Sequence, residues 1–181
     1  MRGFLTQRIP DFRRVLLIES GSRYLLEDLL PGIYSHHPTT PVDLFTCYPG
    51  NPKTFRPEQG RVYRAASYQG AQGRQKLYAE LAANQYNILG LICSGEPIMT
   101  KWKWMLAARV PAKVFILNEN GDYFWLDRGN WRTVRHFILF RAGLSGAASV
   151  RTLARVVLFP FTLLYLLLFA ALVHLKRKVH A

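Results

Sequence analysis

The sequence predicts an α/β fold: a single Rossmann-like domain with a mainly parallel sheet, followed by one C-terminal transmembrane helix. Three observations predict it. Short, continuously apolar runs recur along the first two thirds of the chain, separated by stretches in which apolar residues fall at helical spacing. A long apolar stretch lies close to the C-terminus. The charges sort along the chain, with no acidic residue after Asp127.

Arg14-Val15-Leu16-Leu17-Ile18 is the first run and ends in Glu19-Ser20-Gly21-Ser22. A continuous rather than alternating run suits a parallel strand covered on both faces. Tyr24-Leu25-Leu26, Leu29-Leu30 and Ile33-Tyr34 then recur as one helix face. Val42 to Tyr48 reads as the second strand, closed by Pro49-Gly50-Asn51-Pro52, and Arg61 to Ala65 as a shorter third. Gly70 to Gly73 opens a helix buried through Leu77-Tyr78 and Leu81-Ala82. Asn87 to Cys93 is another apolar strand, Pro97 to Arg109 a helix, and Lys113 to Leu117 a further strand. Strands alternating with helices at this spacing predict a parallel, doubly wound sheet.

From Val156 to Val173 every residue is apolar or aromatic except Pro160 and Thr162. As a helix that stretch would be ~27 Å long, near the hydrocarbon thickness of a bilayer. Arg151 and Arg155 flank one end and Lys176, Arg177 and Lys178 the other, where they would reach headgroups. The expected organisation is an N-terminal extension (1–12), the α/β domain (13–128), a basic juxtamembrane segment (129–155), a transmembrane helix (156–175) and a basic tail (176–181). No secretory signal is visible at Met1 to Arg8. The expected location is therefore a bacterial inner (cytoplasmic) membrane, crossed once, with the soluble domain in the cytoplasm. Along the helix Thr162, Tyr165 and Phe169 share one side, which is expected to contact a partner.

The chain holds 24 Lys+Arg against 11 Asp+Glu, a net charge of +13. Such a balance suits a polyanionic partner. Val134, Phe137, Ile138 and Phe140 form the apolar side of a helix that also bears Arg132, Arg135 and Arg141. That helix either lies in a headgroup layer or packs as the last helix on the sheet. No zinc-finger or RNP spacing supports nucleic acid, so anionic lipid headgroups are the expected polyanion. The two cysteines, Cys47 and Cys93, sit in apolar runs and read as buried free thiols.

Nothing in the motifs implies a cofactor or a metal. The turn Ser20-Gly21-Ser22-Arg23 lacks a G-x-G-x-x-G fingerprint, and Gly70-Ala71-Gln72-Gly73 has only two glycines. Ser94-Gly95-Glu96-Pro97 sits where ligands bind in such sheets, between a strand's end and a helix start. The candidate ligand-loop residues are Ser20, Ser22, Glu96 and Glu119, with no residue assigned as catalytic. Glu119 lies in Asn118-Glu119-Asn120-Gly121-Asp122, a run suited either to sugar hydroxyls or to a tight hairpin turn.

The order of these segments from Arg13 to Phe124 resembles the N-terminal, acceptor-side half of GT-B glycosyltransferases of the lipopolysaccharide heptosyltransferase type. The stretches that carry the resemblance are the first strand, Pro31 to Tyr48, and Gln85-Tyr86-Asn87-Ile88 through Ala112-Lys113-Val114-Phe115. That family generally carries a Gly-Asp pair after the first strand, whose Asp is thought to act as the base. Here the turn reads Gly21-Ser22-Arg23, and no second Rossmann half follows to hold a nucleotide-sugar. The resemblance therefore implies a catalytically degenerate relative. The expected function is a non-enzymatic, membrane-anchored subunit or scaffold of an integral membrane protein complex, such as an energy-converting or photosynthetic assembly. The alternative is a glycosyltransferase, or its acceptor-binding half, acting on a membrane-linked glycan with a separate nucleotide-sugar-binding partner.

Overall fold

The computed structural model describes residues 7–142 and 147–179, with side chains over 154–170 only along the last helix. The chain divides into two compact units, Met1–Trp131 and Arg132–Ala181. The first unit is α/β. Its strands are β1 (Val15–Glu19), β2 (Val42–Thr46), β3 (Val62–Arg64), β4 (Ile88–Cys93), β5 (Lys113–Asn118) and β6 (Tyr123–Trp125). Three helices connect them: α1 (Arg23–His36) joins β1 to β2, α2 (Gly70–Ala83) joins β3 to β4, and α3 (Thr100–Arg109) joins β4 to β5. The strands form one sheet in the order β3-β2-β1-β4-β5-β6. Central β1 pairs in parallel with both neighbours, Val15 lying opposite Val42 on one side and Ile88 on the other.

Both faces of the sheet are buried, which is why its strands are continuously apolar. Val15, Leu17, Val42, Leu44, Ile88 and Ile92 point to one face, where Leu25, Leu26, Leu30 and Ile33 of α1 cover them. The alternate positions, among them Leu16, Ile18, Leu89, Leu91 and Val114, are wholly buried on the opposite face. There α2 contributes Leu77 and Leu81, and Trp102 of α3 packs its ring 5.2 Å from that of Phe45.

Ionic groups interrupt this apolar interior, among them Asp43 and the Lys113–Asp127 pair. Asp43, fully buried in β2, accepts from Arg14 Nε at 3.1 Å and Nη2 at 2.9 Å, from the Arg61 amide at 2.7 Å, and from the Tyr86 hydroxyl. Burial, then the bond to Asp43, push the Tyr86 phenol far above its ordinary value. Lys113 of β5 donates to Asp127 at 3.1 Å, both side chains being almost fully covered. Burial alone would raise the Asp127 carboxyl; the Asn130 amide and the Lys113 ammonium outweigh it, leaving it below the ordinary carboxylate range.

At one edge the sheet departs from the wholly parallel, doubly wound pattern. The sheet is mixed, because β6 runs antiparallel to β5, with Leu117 opposite Tyr123. A parallel strand needs a crossover of about a dozen residues, and the chain turns back at once after Asn118. The Asn118 side chain accepts from the amides of Asn120 and Asp122 at 3.0 and 2.9 Å, and Gly121 takes a φ of 81°. That geometry is a hairpin turn with glycine at its left-handed position.

The second unit contains α4 (Trp131–Arg141), which begins at the boundary, and α5 (Ala147–Val179). Among the described residues no helix is long and apolar enough to cross a membrane. This overturns the transmembrane helix expected over 156–175. With it falls the single-pass inner-membrane location with a cytoplasmic domain. Along α5 the large apolar side chains described, over 154–170, are exposed, from 46% at Leu163 to 68% at Val156.

Candidate functional site

The topology places a crevice at one end of the sheet. From β1 the chain moves outward to β2 and β3, then returns across to β4 on the other side of β1. The loops that follow β1 and β4 therefore diverge, and ligands in open α/β sheets bind where they part.

Residues 20–23 and 94–96 build this crevice. A Cβ on Gly21 would lie 2.4 Å from Ser94 Oγ and 3.0 Å from Ser94 Cβ, so glycine lets the two loops touch. The Ser22 amide donates to Ser94 Oγ at 3.2 Å. Both hydroxyls converge on one carboxylate oxygen: Ser22 Oγ donates to Glu96 Oε2 at 3.2 Å and Ser94 Oγ at 3.3 Å. The Ser22 hydroxyl thus turns away from the start of α1, where it makes no cap. Glu96 is exposed.

A second layer holds the crevice from beneath. The Tyr48 hydroxyl donates to the Gly21 carbonyl at 3.2 Å. Arg23 donates to buried Glu19 at 2.6 Å and to the Pro49 carbonyl at 3.1 Å, with its guanidinium 5.2 Å from the centre of the Tyr48 ring. Since Glu19 neutralises Arg23, the mouth presents Glu96 as its outstanding charge. A carboxylate there repels phosphate and suits donors such as sugar hydroxyls.

Of the sequence-derived candidates, Ser22 and Glu96 meet directly. Ser20 is fully buried and donates to the Ile92 carbonyl at 2.6 Å, tying β1 to β4 instead of facing the crevice. Glu119 lies in the hairpin loop, and its carbonyl accepts from the Tyr24 hydroxyl at 3.4 Å. Ser94, Tyr48 and Arg23 were not among the candidates. Ser94 is adjacent in the loop that carries Glu96, and Arg23 stands four residues after Glu19 in the i,i+4 relation of an ion pair.

On α5, Arg155, Thr162, Tyr165 and Phe169 are exposed. Thr162 Oγ1 bonds back to the Leu158 carbonyl at 3.0 Å, and the Tyr165 and Phe169 rings stack with centroids 6.4 Å apart. The side chains of Arg151, Lys176, Arg177 and Lys178 lie outside the described residues. Both cysteines are free, but Cys47 is exposed where burial was expected, because it follows the last paired residue of β2. Among the described residues no group of His, Cys, Asp and Glu could hold a metal ion. The chain matches no family model, no curated protein and no solved structure.

Proposed function

We propose that the α/β unit is a binding module for a hydroxyl-rich, sugar-like ligand, corresponding to the acceptor-side half of a glycosyltransferase and working with a separate partner that holds the donor. The observation that carries this reading is the Glu96 carboxylate, which takes two serine hydroxyls at the switch point of the sheet. A sugar diol can replace those serines as donor while Ser22 and Ser94 turn to accept, so ligand and empty site use the same groups. The catalytic role is absent from this reading, since the turn after β1 offers serine and arginine in place of a carboxylate. The test is an amide-detected NMR titration with methyl heptosides and hexosides. Shifts confined to residues 20–24 and 93–97, lost in Glu96→Gln, are expected; shifts that persist in that variant would remove the site.

A second reading, a subunit of a larger protein assembly, is favoured by α5. Its exposed Phe159, Phe161, Leu166 and Leu167 form an apolar surface that water solvates poorly. In this reading a partner polypeptide covers that helix. Sedimentation of the native protein should then show a heteromeric particle that Phe161→Glu/Leu168→Glu dissociates; a monomer would dismiss it.

A further inference from the structure

The opposite end of the sheet, where the strands begin, holds a cavity of about 1040 Å³ that the sugar-binding reading does not use. Its volume is at the upper end of the range for small-molecule sites. The segment before β1 forms one wall, and the end of α3 with the turn into β5 forms the other. Ile9, Trp104, Val110, Pro111 and Leu126 supply apolar surface, and Ile9 and Trp104 are 50% and 45% exposed.

The polar groups in the floor already have partners. The Tyr86 hydroxyl is bound to Asp43, and the Lys113 ammonium to Asp127. Asn87 accepts from the Arg14 amide at 2.9 Å and donates to the Asp11 carbonyl. The rim is different. Arg8, Arg13 and Arg109 line the opening, and among the described residues none of the three makes an ion pair. Arg109 lies over the Tyr78 ring, 5.2 Å from its centre. Asp11 is the single acid against them at the rim.

An apolar floor with its polar atoms bonded, ringed by guanidiniums that make no ion pair among the described residues, selects an occupant with an apolar body and an anionic head. Charge complementarity also excludes the chain's own basic segments. We propose that this groove binds a single-chain anionic amphiphile. The chain lies along Ile9, Trp104 and Val110, and a phosphate or carboxylate head sits between Arg8, Arg13 and Arg109. Guanidinium pairs with such heads in a forked, two-bond geometry, which fixes the polarity of the ligand in the groove.

The probe is dodecyl phosphate below its micellar concentration, titrated calorimetrically into the full chain. Two variants are compared with the natural protein: Ala108→Trp, which fills the groove from α3, and Arg8→Glu/Arg13→Glu, which reverses the rim. All three positions are exposed, so the fold should tolerate the changes. Expected are a saturable site, its loss in Ala108→Trp, and at least a tenfold weakening in the double variant. Amphiphile adsorbed on the exposed apolar residues of α5 would ignore these substitutions, so unchanged titrations in both variants overturn the proposal. A measurement on the natural protein alone gives a second check. Dodecyl glucoside, with a neutral head, should bind at least tenfold more weakly, and equal affinity overturns the role of the arginines. Displacement of the probe by an acidic peptide at comparable concentration would assign the groove to a protein segment and likewise overturn it.

Discussion

Asp43→Ala should lower the thermal midpoint of the α/β unit by about 10–15 °C, read by calorimetry or by circular dichroism. The substitution removes an acceptor that serves the Arg14 guanidinium, the Arg61 amide and the Tyr86 hydroxyl in a wholly buried place. Removing one partner of a buried ionic group costs about 3–5 kcal/mol, chiefly because the groups left behind stay dehydrated without their bonds. For a chain of this size about 3 °C accompanies each kcal/mol. Tyr86→Phe provides the comparison: it deletes one donor and leaves the carboxylate paired with Arg14, so about 1–2 kcal/mol is expected. If Asp43→Ala melts within a few degrees of the natural protein, the Asp43 network is not what secures this end of β2.

The second large effect concerns Lys113 and Asp127. Lys113→Met keeps the length of the side chain but leaves the Asp127 carboxylate covered without its cation, a loss of about 3–5 kcal/mol. Adding Asp127→Leu should restore most of that stability, because two apolar groups of similar volume dispense with the dehydration of both charges. Chemical denaturation of the single and double variants measures the difference directly, and a double variant no better than the single one would refute this account. The pair also has a pH signature. The Asp127 carboxyl is depressed in the folded state relative to its unfolded value of about 3.9. Its contribution is therefore complete above that value and is lost as pH falls through the lower folded one. Asp127→Asn should flatten the acid limb of the stability curve below about pH 4 and leave its shape near neutrality unchanged.

The strands were legible wherever burial was two-sided. Val15 to Ile18, Ile88 to Cys93 and Lys113 to Leu117 are continuous runs because helices cover both faces, and periodicity of that kind survives in one dimension. The hairpin was legible only as one of two readings of Asn118 to Asp122, since the same side chains serve a turn or a ligand. The buried ionic groups were hidden for a different reason. Asp43 meets Arg14 and Tyr86 across 29 and 43 residues of sequence, and nothing local marks such partners. The crevice was half legible: Glu96 stood out by its place after a strand, but its closeness to Ser22 spans 74 residues and depends on the loops meeting over Gly21. The C-terminal apolar run misled as a reading of hydropathy alone. A span needs length and apolarity together in one helix, and among the described residues no helix has both.

The sheet ends on both sides in strands of only three residues, Val62–Arg64 and Tyr123–Trp125. An unpaired strand edge is a template on which another chain can add, and its hazard grows with the number of open amides and carbonyls in a row. Three residues offer too few for a stable added strand. Arg61 and Arg64 bring positive charge to one edge, and the tight turn at Gly121 bends the chain away just before the other. The sheet can therefore keep two open edges and still resist ribbon-like polymerisation.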